Sequence, residues 1–507
     1  MLKLKGGAPS GTKGASFRQS RRDVESAFSS EEYEAFDAKL RDETQMARSW
    51  GAGGRFPRAS APPTLGCEVE SCLAGADGLP APESANFMEY FSNDNGYYEM
   101  TKYNVEFEIA PCALGGAPFS EMYDALEHTR RHAARCADMV GANAILCGIL
   151  PSFAAAHFSA DMITDRLHFR TLEKQLRKLN CGRPFAVNIG YGDGLRFEAD
   201  NLSVEGAATS LQIHLSVAET ESAAFYNAAQ IAAAVTVGVA ANSPFFMGKQ
   251  LWAETRVPLF EQIMYERFVG QNARTLPYGR RCDDIFGGDY LRGTLLELFS
   301  ENHARMPAVL PIARDTPPEK MMHLILHNRD ILRWNRPVLG FSNGRPFLRI
   351  EHRAMSSGPT TADMTANMAL FVGLACHLHR AFVGATAEKT IARMPFETAR
   401  DNFYRAARDG LDADIVWLGE SRNLREFVAE RALEYAKRGL RDFGVDEADL
   451  LHWLDIIERR VRTGQNGSIW QRRYAAKHGG DETGMRRMVA AYLQKQEEGA
   501  PVHTWTI

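Results

Sequence analysis

Apolar and polar residues alternate with a period of two in five short segments of the chain, and on an extended strand side chains two apart share a face. From Leu65 to Glu70, the apolar set Leu65, Cys67 and Val69 faces one way and Glu68 and Glu70 the other. Val105, Phe107 and Ile109 alternate with Glu106 and Glu108. The segment Ser210 to Ser216 carries Gln212 and His214 on its polar side, and Phe185 to Gly190 carries Asn188. Leu348 to Arg353 places Arg349, Glu351 and Arg353 together. A single strand of this kind fits a solvated antiparallel sheet. Five of them, with polar faces of carboxylate, imidazole and guanidinium, predict one curved antiparallel sheet. Its concave face is then a charged cavity suited to a polyanion held by divalent metal.

Helical spacing fills the intervals: Phe119 to Val140, Asp165 to Leu179, Ala218 to Ala241 and Asp363 to Val383. Asp23 to Trp50 has Phe28, Tyr33, Phe36 and Leu40 among charges and reads as an amphipathic helix. After Pro395 the chain is charged, amphipathic and mostly helical to Lys495, with breaks at Gly410, Gly439 to Val445 and Thr463 to Ser468. Strands and helices mix without a βαβ rhythm, so the fold class is α+β, with helices on the outer face of the sheet. The expected organisation is a disordered segment 1–20, rich in Gly, Ser and Lys, then an amphipathic helix and linker over 21–63. A catalytic domain over 64–395 follows, with a mostly helical part, 396–507, packed on it.

Composition serves to exclude. With 45% hydrophobic and 24% charged residues and a net charge of −4, the chain lacks the basic excess of a general nucleic-acid binder. Its most apolar run, Ile231 to Ala241, falls short of the roughly 20 residues a bilayer requires, and no secretory h-region follows the first lysines. Eight cysteines, at 67, 72, 112, 136, 147, 181, 282 and 376, form no C-x-x-C pair and read as reduced thiols in a cytosol.

Clustered glutamates beside arginine meet the needs of one chemistry in particular. Joining a carboxylate to an amine at neutral pH requires the carboxylate oxygen to become a leaving group, which phosphorylation by ATP achieves. Hard Mg²⁺ ions prefer oxygen ligands and bridge a triphosphate, and cations must meet the charge on the transferring phosphoryl group.

The motifs occur in a recognisable order: G-x-E-x-E (Gly66 to Glu70), Glu99 and Glu106 with six residues between them, a strand through Ile213, His214 and Leu215, N-S-P-F-F-x-G (Asn242 to Gly248), and Glu351-x-Arg353. With Thr463-Gly464 and Trp470-Gln471 near the C-terminus, they resemble the second glutamate–cysteine ligase, or carboxylate–amine ligase, family. The likeness covers nearly all of the chain from about residue 20. It implies a glutamine-synthetase-like funnel, ATP with Mg²⁺ (or Mn²⁺), and transfer through an acyl phosphate, with glutamate and cysteine the default substrates. By the same resemblance Glu68, Glu70, Glu99, Glu106 and Glu351 are metal ligands, and His214 lies near a nucleotide-bound metal. Arg353 contacts the transferring phosphoryl group, where a planar guanidinium suits bidentate contact. Arg256 holds the substrate α-carboxylate, and Glu108 supports the site. The expected partners are small molecules, with no nucleic acid and no membrane, and the protein is expected to be a cytoplasmic homo-oligomer. Two departures stand out: the first strand reads G-C-E-V-E where better-known members have G-x-E-E-E, and position 216, where a second histidine-like residue is usual, is Ser216. The rival classes are a pseudoenzyme that binds ligand without turnover and a phosphagen-kinase-like phosphotransferase.

Other features receive plainer readings. Gly192 to Gly206 has no assigned role, and His323 and His327 share a helix face without a third ligand. Asn466 to Ser468 reads as a flexible loop near the site, and Arg459, Arg460, Arg472 and Arg473 read as solvated helix faces.

Overall fold

A computed structural model of the protein describes residues 28–57, 63–93, 95–265, 285–384 and 386–507. The segment 1–20 and the start of the first expected helix, Asp23 to Ala27, lie outside the described residues. That helix runs over Ser30–Ala52 and starts at a capping box, in which the Glu32 N–H donates to Ser29 Oγ and the Ser29 N–H to the Glu32 carboxylate.

The strands are β1 (Thr64–Gly75), β2 (Gly96–Tyr98), β3 (Asn104–Ala113), β4 (Ala142–Ile145), β5 (Phe185–Ile189), β6 (Leu195–Ala199), β7 (Ser210–Val217), β8 (Phe245–Phe246), β9 (Lys249–Gln250), β10 (Asn335–Ser342), β11 (Arg345–Ser356), β12 (Asp414–Trp417) and β13 (Glu420–Asn423). Among the described residues, one antiparallel sheet has the order β10-β11-β7-β1-β3-β2, and β4 pairs with the far end of β1. This curved sheet with helices packed around it is an α+β, glutamine-synthetase-like fold. The helices Ser222–Ala240 and Thr361–Leu378 pack behind β11 and β7. Both are apolar almost all round because they are buried on every side. The stretch Glu219–Ala240 is long and apolar enough by composition to cross a bilayer, but it is enclosed by protein.

Four of the five alternating segments fall in this sheet, and the fifth does not. Phe185 to Ile189 is β5, which among the described residues pairs with β6 alone, in a separate hairpin. Its apolar side, Phe185, Val187 and Ile189, is buried, and the strand lies against the helix Arg256–Tyr265. Alternation reports one-sided burial, and a second, smaller sheet provides that equally well. Asn188 is therefore exposed, away from the charged face.

The C-terminal part is helical as expected apart from the β12–β13 hairpin, and Phe396–Asp409 and Leu433–Asp442 pack on the two core helices. Two readings of this part are corrected. Arg460 is 1% exposed and pairs with Asp363 at 2.7 Å, tying two helices together, while Arg472 donates to Leu251 O at 2.9 Å and Arg473 to Gln465 at 3.0 Å. Arg459, paired with Asp455, and Arg473 are exposed on their helices as expected, so the correction concerns Arg460 and Arg472. Asn466 to Ser468 is no flexible loop: Asn466 is buried, and its side chain accepts from the Ile469 N–H at 3.0 Å, capping the helix Gly467–His478.

Candidate active site

Register on the sheet assembles the polar face. Glu68 and Glu70 of β1 lie opposite Glu108 and Glu106 of β3, and Gln212 of β7 lies opposite Glu68. His214 pairs with Glu351 of β11, which pairs in turn with Arg336 of β10. Between His352 and Met355 the β11 register slips, so Arg353 and Ala354 share the place opposite Gln212. Arg353, two residues after Glu351, keeps the polar face, and its Nη1 donates to Gln212 Oε1 at 2.9 Å and to Glu351 Oε1 at 2.8 Å. Glu99, just after β2, donates nothing to the ladder; its carboxylate accepts from the Met100 N–H at 3.2 Å.

Glu68, Glu70, Glu99, Glu106, Gln212, Arg336 and Arg353 line a cleft of about 680 Å³, and the buried His214 and Glu351 adjoin it through Glu68 and Arg336. Among the described residues, two groups of possible metal ligands lie at its floor or just beneath it: Glu68, His214 and Glu351, and Glu70, Glu99 and Glu106, with the donor atoms in each group within 4.8 Å of one another. In the first group His214 Nε2 is buried without a hydrogen bond and lies 3.5 Å from both Glu68 Oε1 and Glu351 Oε2. A neutral imidazole nitrogen facing two carboxylates suits a divalent cation. In the second group both Glu70 oxygens accept hydrogen bonds, from the Ser210 N–H at 2.6 Å and Gln212 Nε2 at 2.9 Å, and Gln212 Nε2 also reaches Glu106 at 3.1 Å. Each of these oxygens keeps a second lone pair for a cation.

The groups differ in charge compensation. Glu351 is fully buried, and burial alone would raise its carboxyl; Arg336 and Arg353 outweigh that and hold it well below the carboxylate range. Arg336 grips it with Nε at 3.0 Å and Nη2 at 2.8 Å. Burial and the Arg349 charge keep the His214 ring neutral, far below the usual imidazole value. Burial and the Glu351 charge push Glu68 up to about 7. Burial, Glu70 and Glu205 push Glu99 up to about 8, and burial with the neighbouring glutamates raises Glu106 well above its ordinary value.

Arg256 lies beneath this floor. It is 3% exposed, does not line the cleft, and donates through Nη2 to Arg353 O at 2.9 Å and through Nε to Glu254 Oε1 at 3.3 Å. Glu254 also accepts from the Asn242 N–H and Ser243 Oγ, both at 2.9 Å, so the N-S-P-F segment braces the arginine. Glu108 accepts from the Tyr97 hydroxyl at 3.2 Å at the cleft wall. His323 and His327 are engaged elsewhere, by Glu43 at 2.6 Å and Met306 O at 3.1 Å, and belong to neither ligand group.

The sequence reading missed three cleft residues. Arg336 precedes Pro337, which breaks a strand signal, but β10 is an edge strand where a missing N–H is tolerated. Arg349 shares the polar face of its strand, where alternation alone assigns it no role; it stands 4.0 Å from Glu68. Glu205 comes from the unassigned Gly192 to Gly206 stretch, on the 3₁₀ turn Leu202–Ala207, which Asn104 Nδ2 anchors at Gly206 O, 2.7 Å away.

A curved antiparallel sheet with acidic ligand groups and arginines on its concave face defines the class, a ligase-type enzyme of glutamine-synthetase-like fold. Residues 64–491 match the family model described as glutamate-cysteine ligase family 2 (GCS2), and the chain belongs to that family. Among solved structures it is similar to a glutamate–cysteine ligase from Francisella tularensis in complex with AMP, at 9% identity and a TM-score of 0.48, covering 87% of this chain and 90% of that one. It is also similar to a bifunctional glutathione synthetase from Pasteurella multocida, at 10% identity and a TM-score of 0.45, covering 90% of this chain and 55% of that one. No curated protein sequence matches the chain.

Proposed function

We propose that the protein is an ATP- and Mg²⁺-dependent carboxylate–amine ligase that forms an acyl phosphate, most simply on the γ-carboxyl of glutamate, and joins it to an amine such as cysteine. The observation that carries this reading is the pair of ligand groups flanking Arg353 and Gln212 on one sheet face. Family membership supports the ligase class.

Glu68, His214 and Glu351, and Glu70, Glu99 and Glu106, would hold divalent cations, Mg²⁺ or Mn²⁺. Such ions would neutralise the triphosphate and the charge developing on the oxygens of the transferring phosphoryl group. Arg353 has Nη1 committed to Glu351 and Gln212, so Nη2 is the nitrogen assigned to the transferring phosphoryl group. Arg336 holds Glu351 from the other side and keeps that carboxylate from swinging. Arg256 is assigned to the substrate α-carboxylate, which would have to reach beneath the cleft floor to meet it; its bond to the Arg353 carbonyl would then keep acid and phosphoryl group in register. A γ-carboxylate oxygen attacks the γ-phosphorus and ADP leaves. The amine nitrogen then attacks the acyl carbon, phosphate leaves carrying that carboxylate oxygen, and the amine gives its proton to phosphate or solvent.

A screen of phosphate release with carboxylates alone, amines alone and both together, with product masses, tests the reading. The expected result is one phosphate per amide and release only when both substrates are present. Release that ignores the amine, or a phosphorylated guanidine as product, contradicts it.

A further inference from the structure

We propose that Glu43, on the N-terminal helix, is a positioning residue for the active-site cleft, acting through the helix Met322–Arg329 on Arg336 and so on Glu351. The inference rests on Glu351 being a cation ligand, as proposed above.

Glu43 precedes the residues 64–491 matched by the family model, yet it is 1% exposed and bonded to the wall of the cleft. Its Oε2 accepts from the N–H groups of His323 and Leu324, both at 2.8 Å, and its Oε1 meets His323 Nδ1 at 2.6 Å. His323 Nε2 accepts from the Arg314 N–H at 3.0 Å, which places the ring proton on Nδ1, facing Glu43. The two N–H groups belong to the first turn of Met322–Arg329, where helix donors lack intrahelical partners and a carboxylate complements the dipole. The residue before that helix, Met321, supplies no side-chain cap of its own. Glu43 supplies it from another element.

The other end of this helix is fastened to β10. Arg329 O accepts from Arg336 Nη1 at 3.0 Å, and Asn328 Nδ2 donates to Pro337 O at 2.6 Å. Arg336 then holds both oxygens of Glu351. An eight-residue helix is a strut of about 12 Å, with Glu43 at one end and the grip on Glu351 at the other. A buried carboxylate is seldom the most stabilising choice for such a place, since a well-packed apolar residue stabilises about as well. Three directed bonds instead fix the height and rotation of the strut. Partners that orient a metal ligand are typically worth about 10- to 100-fold in metal affinity.

The test is a titration of the full-length protein with Mn²⁺, followed by electron paramagnetic resonance, together with thermal unfolding. Glu43→Gln keeps the size but turns an amide donor toward donors; it should weaken Mn²⁺ binding about tenfold. Glu43→Asp, too short to reach all three partners, should lose less. Arg336→Ala should also weaken binding, and the double variant Glu43→Gln/Arg336→Ala should be no weaker than Arg336→Ala alone. Affinity within twofold of wild type in folded Glu43→Gln, or losses that add in the double variant, would overturn the inference. Should Glu43→Gln not fold, Glu43→Asp is judged by the same affinity criterion. A wild-type protein that binds no Mn²⁺ sinks the cation reading and this inference together, whereas unchanged variants beside a binding wild type sink the inference alone.

Discussion

The two ligand groups share one sheet face but differ in what surrounds them. Glu351 stands between two guanidiniums that keep it ionised while buried, and His214 beside it is neutral with an uncommitted nitrogen. Glu70, Glu99 and Glu106 face one another, with the amide of Gln212 donating to Glu70 and Glu106, and burial drives all three upward. In the first group the protein itself keeps Glu351 charged, although Glu68 beside it is raised to about 7. The second reaches its full charge only when a cation arrives, because metal ligation requires the deprotonated form. Arg353 sits where the two fields meet, and burial fails to lower its affinity for protons because Glu351 and Glu70 oppose it.

The sharpest way to break this contrast is to neutralise one carboxylate in each group. Glu351→Gln leaves Arg336 and Arg353 with half a partner in the interior, and breaking a buried pair costs about 3–5 kcal/mol. The expected outcome in calorimetry is a large fall in the unfolding midpoint, with turnover lost as well. Glu99→Gln replaces a group already protonated at neutral pH without metal, so the metal-free protein should unfold at or above the wild-type temperature. Equal destabilisation by the two variants would erase the distinction.

Arg353→Lys comes next. It keeps the charge but cannot reach Gln212, Glu351 and a phosphoryl group together, so kcat should fall by about 2–4 kcal/mol of transition-state stabilisation, with ATP affinity changed less. Near-normal turnover would make Arg353 only a structural partner of Glu351.

Arg256→Ala tests the layer beneath. Loss of a charge-assisted contact worth about 1.5–3 kcal/mol should raise the glutamate KM roughly 10- to 150-fold at nearly constant ATP KM. A glutamate KM within about twofold of wild type removes Arg256 from substrate binding.

The smallest effect is in pH. A carboxyl raised in the folded state contributes stability that is fully present below its unfolded value and is lost as pH rises through the folded one. With Glu68 raised to about 7 and Glu99 to about 8, the protein in EDTA should lose stability between the ordinary carboxyl value of 4.5 and about 8. Saturating Mg²⁺ should flatten that slope, and Glu99→Gln should reduce it. A flat profile in EDTA would show that the second group is already compensated.

Much of this site is legible in the sequence because register on a strand is arithmetic. Glu68 and Glu70, Glu106, His214, and Glu351 with Arg353 alternate with apolar residues that must face the core, so their shared side follows. Asn188 shows the limit: alternation identifies a one-sided strand and not the sheet it joins. Arg336 was hidden by Pro337, and Glu205 by a turn without period. Arg460 was misread because charge on an amphipathic helix suggests solvent, while Asp363, distant in sequence, supplies its buried partner. The register slip beside Arg353 depends on pairing between β7 and β11 and leaves no local trace.

The central claim is that a carboxylate is activated by taking phosphate from ATP within this cleft, and oxygen transfer tests it most directly. Glutamate labelled with ¹⁸O in its γ-carboxyl is incubated with the protein, ATP, Mg²⁺ and the amine that gives turnover, and the phosphate released is analysed by mass spectrometry. The account predicts one ¹⁸O in each phosphate formed, with one retained in the amide. Unlabelled phosphate formed at the full rate of ATP consumption would contradict it.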